Sequence, residues 1–156
     1  MFLSFNEADG PMKTVYLLSE DLKRNPDRVA LTQALTLNPN KPFLGLNGTH
    51  GLFGSEEWWK NIEERKIPLL LVSGIVKKVY FAGQDSSTGV NSFSLLLDDG
   101  SVRNESIYSA TAKEDRKLFV VGAKVQIAYV LDELKPGAVS GNETHVETVL
   151  EMAISL

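Results

Sequence analysis

With 156 residues, 43% of them hydrophobic and 23% charged, the chain has ordinary globular composition and enough length to bury a core without a metal or a disulfide. It has no cysteine, which excludes a disulfide scaffold, a thiol nucleophile and cysteine-ligated zinc. Sixteen Lys and Arg against 20 Asp and Glu give a formal charge of -4, which weakens any expectation of a broad phosphate-binding field.

The first residues carry Glu7 and Asp9 and no basic head before a long apolar run, so a cleaved export signal is not expected and the chain reads as soluble and cytoplasmic. The longest apolar runs, such as Ile67 to Val72, fall far short of the roughly 20 residues that a bilayer-spanning helix needs, and no membrane partner is expected. Lys13 to Leu18 reads as a short strand or the apolar start of a helix, with Ser19, Glu20 and Asp21 as a helix cap. Asp27 is placed to cap a second helical stretch through Leu37, where Val29, Leu31, Ala34 and Leu35 give a ragged apolar face. Asn38 to Pro42 should be irregular, because Pro39 and Pro42 oppose both helix and central strand, and Phe43 to Leu46 should be briefly extended.

Asn47 to Gly54 is a glycine-rich loop. Its backbone amides could cradle an anion, but the spacing fits neither nucleotide-binding glycine motif, and Glu56 and Glu57 would repel a phosphate at the following helix. Ser55 caps that helix, Trp58 and Ile62 share one face, and Pro68 ends it.

From Leu69 the pattern turns to strands. Leu69 to Phe81 is long and partly apolar on both faces, with Gly74 permitting a bend. After the polar loop Gly83 to Gly89 come Ser92 to Leu97, the tight turn Asp98-Asp99-Gly100, and a return strand from Ser101 to Tyr108. Thr111 to Glu114 has the form of a capping box for a short helix to Phe119. Val125, Ile127, Tyr129 and Leu131 then alternate clearly, Glu133 to Glu143 reads as a mobile loop, and His145 to Ile154 forms the last strand.

Three strands, a short helix and two strands in this order resemble an OB-fold, a five-stranded Greek-key barrel. The resemblance rests on order and loop placement over Leu69 to Leu156. An SH3-like barrel and an open antiparallel sheet packed on N-terminal helices are the alternatives. The expected fold class is therefore mainly β with short helices: a small five-stranded antiparallel OB-like barrel over 69–156, preceded by an α-containing N-terminal subdomain or extension over 1–68.

An OB barrel that binds nucleic acid displays rings and basic side chains along a groove, and Lys78, Tyr80, Phe93, Arg103 and Tyr108 are the candidates here. Most of those rings fall where a small barrel needs core residues, and acidic residues interrupt the basic ones, so nucleic acid is disfavoured. His50 and His145 are the only histidines, and a catalytic zinc site ordinarily takes three protein ligands, so no metal and no cofactor are expected. No serine sits in a G-x-S-x-G elbow, and the reading is against an enzyme.

Interaction remains. Trp58 and Trp59, adjacent on a helix and about 100° apart around its axis, cannot both face inward fully, and with Phe53 they are the interface candidates. Acidic positions at Asp85, Asp98, Asp99, Asp132 and Glu133 offer a negative surface to a basic protein, or serve solubility alone. The expected function is a non-enzymatic binding or accessory domain working through protein contacts, of the inhibitor or immunity kind, with an unidentified protein as partner. The alternative is an OB-fold domain that binds nucleic acid or a small ligand.

Overall fold

The computed structural model describes residues 2–83, 89–108, 113–137 and 144–156, with Lys113 described in its backbone alone. Most of the polar loop after Phe81, the capping residue Thr111, Asp85 and the middle of the expected loop after Glu133 lie outside these residues.

The elements in chain order are β1 (Met12–Leu17), α1 (Leu18–Arg24), α2 (Pro26–Leu37), α3 (Glu56–Glu63), β2 (Leu69–Tyr80), β3 (Ser92–Leu97), β4 (Val102–Ser106), β5 (Lys124–Glu133) and β6 (His145–Ser155). Short 3-10 helices occupy Glu7–Asp9 and Lys113–Leu118. The strands form one antiparallel sheet in the order β1-β6-β5-β2-β3-β4.

The sheet is open, so the expected OB-like barrel is not formed and the domain is mixed α/β. Closing a barrel requires the two end strands to hydrogen-bond to each other. Here β1 takes the free edge of β6, pairing from Met12 with Ser155 to Leu17 with Glu151, while β4 stands at the opposite end of the sheet. The sixth strand comes from the segment whose sequence fitted both a strand and a helix start. Val15 and Tyr16 are buried in it, and that burial favours the strand.

Packing divides the chain into two compact units. The first comprises Met1–Leu17, Leu71–Ala128 and Leu150–Leu156. Its buried side chains include Val15, Val76, Phe93, Leu95, Phe119, Val125, Ile127, Met152 and Ile154. Phe93 meets Phe119 with ring centroids 5.3 Å apart. The buried Glu151 carboxylate accepts the Phe2 amide at 2.8 and 2.9 Å and the Leu3 amide at 2.9 Å, which ties the N-terminal segment to β6. Lys13 pairs with the buried Asp115 at 2.6 Å, and Lys124 pairs with Asp9. That contact holds the Asp9 carboxyl below its ordinary value.

The tight turn forms as its sequence indicates, with Gly100 at φ 85° and its amide donating to Leu97 at 3.0 Å. The Asp99 carboxylate accepts the Ser101 hydroxyl and, at 2.9 Å, its amide, which lowers the Asp99 pKa. Gly74 serves close approach: a Cβ there would stand 2.4 Å from the Leu96 carbonyl oxygen. The irregularity of β2 falls later, where the register with β3 shifts between Val76 and Lys78.

The second unit comprises Leu18–Leu70 and Tyr129–Val149. Leu18, Leu22, Phe53, Trp58, Ile62, Ile67, Tyr129, Val130 and Val149 are buried in it. α2 starts with Pro26, whose fixed φ suits a first helical position and whose missing N–H is not needed there, so Asp27 sits inside the first turn. The brief extended piece becomes an isolated antiparallel bridge of Leu46 with Leu134, flanked by the Asn47 amide donating to the Glu133 carbonyl and the Lys135 amide to the Gly45 carbonyl, each at 3.0 Å.

Ser55 caps α3, its hydroxyl accepting the Trp58 amide at 3.2 Å. The glycine-rich loop is the structural turn that makes this helix start possible. Gly51 sits at φ 106°, and a Cβ there would lie 2.7 Å from the Trp58 backbone nitrogen. Gly51→Ala is expected to combine left-handed strain with a backbone clash and to cost about 2 kcal/mol or more, read as a lower urea midpoint.

Candidate protein-interaction site

α2 is the least buried regular element of its length in the second unit: none of its 12 residues is buried. Its sequence is nonetheless rich in Leu, Val and Ala, so apolar surface faces water. Leu31 is 72% exposed and Leu37 66% exposed. Arg28, Leu31, Thr32 and Leu35 follow the i, i+3, i+4, i+7 spacing that puts side chains on one helical face. That face forms one wall of an open groove of about 420 Å³. Gly45, Leu46, Phe53 and Leu134 line it further, together with Val146 and Thr148 from β6.

Several contacts hold the groove in place. Gln33, beside the lining face, donates its amide to the Phe53 carbonyl at 2.9 Å, and Lys135 donates to the Leu35 carbonyl at 2.8 Å and the Lys41 carbonyl at 2.9 Å. The Lys135 contact places a cation at the helix C-terminus, where carbonyls lack helical donors. The Arg28 guanidinium lies over the Phe53 ring, 5.6 Å from its centroid, and 3.5 Å from Asp21. The site is therefore a largely apolar trough lined in part by Arg28, which also pairs with Asp21.

Beneath the exposed surface lies an aromatic cluster. Phe53 and Trp58 have centroids 4.9 Å apart, and Trp58 meets Trp59 edge-on at 4.9 Å. Trp58 is fully buried, Phe53 is 4% exposed, and Trp59 keeps part of its surface in water. The three interface candidates are thus brought together, with Phe53 lining the groove and Trp59 at the surface.

The Trp58 indole N–H donates to Asp132 at 2.9 Å in a buried pair. Asp132 is therefore not part of an acidic surface loop; it is the buried residue next to the end of β5. Burial pushes its carboxyl above the ordinary value of 3.8, and the Trp58 hydrogen bond offsets this in part. Because the folded state holds this proton more tightly than the unfolded state, the contribution of Asp132 is fully present below the ordinary value and is lost as pH rises through the raised one. Asp132→Asn keeps an acceptor for Trp58 and removes the charge. Its stability relative to the parent chain is expected to increase from about pH 4 to pH 7, measured by urea unfolding. A difference that stays flat with pH would contradict the assignment.

The five groove candidates do not form one site. Lys78 lies 5.1 Å from the Tyr80 ring centroid on the outer face of the β2-β3-β4 sheet. Phe93 is fully buried. Arg103 pairs with Leu95, on the face opposite to Lys78. Tyr108 packs on Tyr16 at 4.8 Å. His50 and His145 are both exposed, and among the described residues no cluster of three or more His, Cys, Asp or Glu is placed to hold a metal. Among the same residues no helix is long and apolar enough to cross a membrane.

The sequence points to the aromatic cluster but passes over Arg28, Leu31, Leu35 and Val146. The signal for Leu31 and Leu35 in the sequence is the ragged apolar face of α2.

Compared with known proteins, residues 12–155 match a family described as Immunity protein RhsI2. No curated protein matches the chain.

Proposed function

The chain belongs to the Immunity protein RhsI2 family, and from that premise we propose that it neutralises a toxin by binding it, with the α2 groove as the docking surface. The protein is an immunity-type, non-enzymatic binding domain. Neutralisation then needs affinity and steric blockage, not chemistry.

The exposed apolar face of α2 is the observation that supports the location. Large exposed apolar patches mark interaction sites, and this one surrounds a groove with few polar groups. The proposed partner surface inserts apolar side chains between α2 and β6 and sets a carboxylate against Arg28. Full burial of an exposed Leu or Val contributes about 1.5 to 3 kcal/mol, and entry into the interface would add most of that range for Leu31, 72% exposed, and a smaller part for Val146, 39% exposed.

The test is growth of cells that express the toxin. Protection by the co-expressed chain, accompanied by a stoichiometric complex of the two purified proteins, is the expected result. Protection without any complex, by modification or turnover of the toxin, would contradict the reading.

A further inference from the structure

We propose that two copies of the chain pair through β4, antiparallel and centred on Asn104, so that the sheet continues across a two-fold axis. The inference does not depend on the toxin-binding site above. β4 is the last strand of the sheet, with β3 on one side and no strand beyond it among the described residues. Leu97 donates to the Ser101 carbonyl at 2.9 Å and Ile107 to the Asn91 carbonyl at 2.8 Å. With the register of β3 and β4, these bonds point the backbone groups of Arg103 and Glu105 toward β3 and those of Val102, Asn104 and Ser106 toward the open edge. All three outward residues are exposed.

The sequence of this edge is complementary to itself. Pairing two copies about Asn104 sets Val102 opposite Ser106 of the second copy, and these outward-pointing residues exchange backbone hydrogen bonds. Arg103 then stands opposite Glu105 of the second copy, and Glu105 opposite Arg103, as the closer non-hydrogen-bonded pairs of an antiparallel ladder. Sliding the strands by two residues in either direction sets Arg103 against its own copy or Glu105 against its own copy, so charge selects the register. In the single chain the Glu105 carboxylate accepts the outward Ser106 amide at 2.9 Å. Pairing hands that amide to the Val102 carbonyl of the second copy and turns the carboxylate to Arg103. On the outer face, the exposed row Ile75, Leu96 and Val102, paired directly across three strands, ends at this edge. The new neighbour covers its last member.

Sedimentation velocity of the whole chain over a wide concentration range tests this. A reversible monomer–dimer equilibrium is expected. Arg103→Glu should weaken it about tenfold or more, and the double exchange Arg103→Glu with Glu105→Arg should restore it to within about threefold. Asn104→Pro removes an outward N–H that β3 does not use, and should abolish the dimer with unchanged circular dichroism. A chain that stays monomeric throughout, or a dimer indifferent to Arg103→Glu and Asn104→Pro, overturns the proposal. Failure of the double exchange to rescue overturns the register on which it rests.

Discussion

Trp58→Ala is expected to lower the unfolding free energy by about 3 to 5 kcal/mol, close to the lower end of the total stability of a domain this size. The indole is fully buried, packed against Phe53 and Trp59 at 4.9 Å each, and the surroundings of so large a truncation relax only in part. Its N–H is also the donor held by the buried Asp132 carboxylate, so truncation leaves an acceptor without that partner. Trp58→Phe separates the two effects. It retains part of the packing but loses the donor, and an unpaired buried acceptor alone costs about 1 to 3 kcal/mol. Chemical unfolding followed by circular dichroism should rank the parent chain above Trp58→Phe and Trp58→Ala last. A Trp58→Ala chain within about 1 kcal/mol of the parent would contradict the buried assignment.

The combination of Leu31→Asp and Val146→Asp should have the opposite profile. Both side chains are exposed in the free chain, at 72% and 39%, so unfolding should move by no more than about 0.5 kcal/mol per site. Toxin binding should fall by about 100-fold or more, because each change removes an apolar contact and asks a carboxylate to enter a dry interface. Titration calorimetry with the purified toxin reads the change. Ile75→Asp, on the outer face of β2, is the control and should leave affinity unaltered. The reverse pattern, with Ile75→Asp harmful and the pair harmless, would move the docking surface to the sheet.

Local chemistry made individual elements legible before the structure, though not the fold class. Ser55 with Glu56 and Glu57 marks the start of α3, Asp98-Asp99-Gly100 makes the hairpin turn, and Ser92 to Leu97 is found as one strand. Each of these signals is contained in a few neighbouring residues. Closure of the sheet is not. Whether β6 meets β4 or β1 depends on pairings such as Thr14 with Ala153, between residues at opposite ends of the chain, and the short apolar run at Lys13 to Leu18 carries no mark of its partner. Asp132 shows the same limit at the site. Beside Glu133 it reads as a solvated acid, yet its environment is set by Trp58, 74 positions away. α2 is a different case. Its apolar face was visible, but composition cannot say whether such a face meets its own chain or another.

Exchange of backbone amides with deuterium, with and without the bound toxin, tests the proposed docking surface most directly. The toxin should slow exchange in α2, between Pro26 and Leu37, and in the neighbouring groove segments around Leu46 and Val146. Protection confined to β2, β3 and β4, with α2 exchanging as in the free chain, would contradict the account.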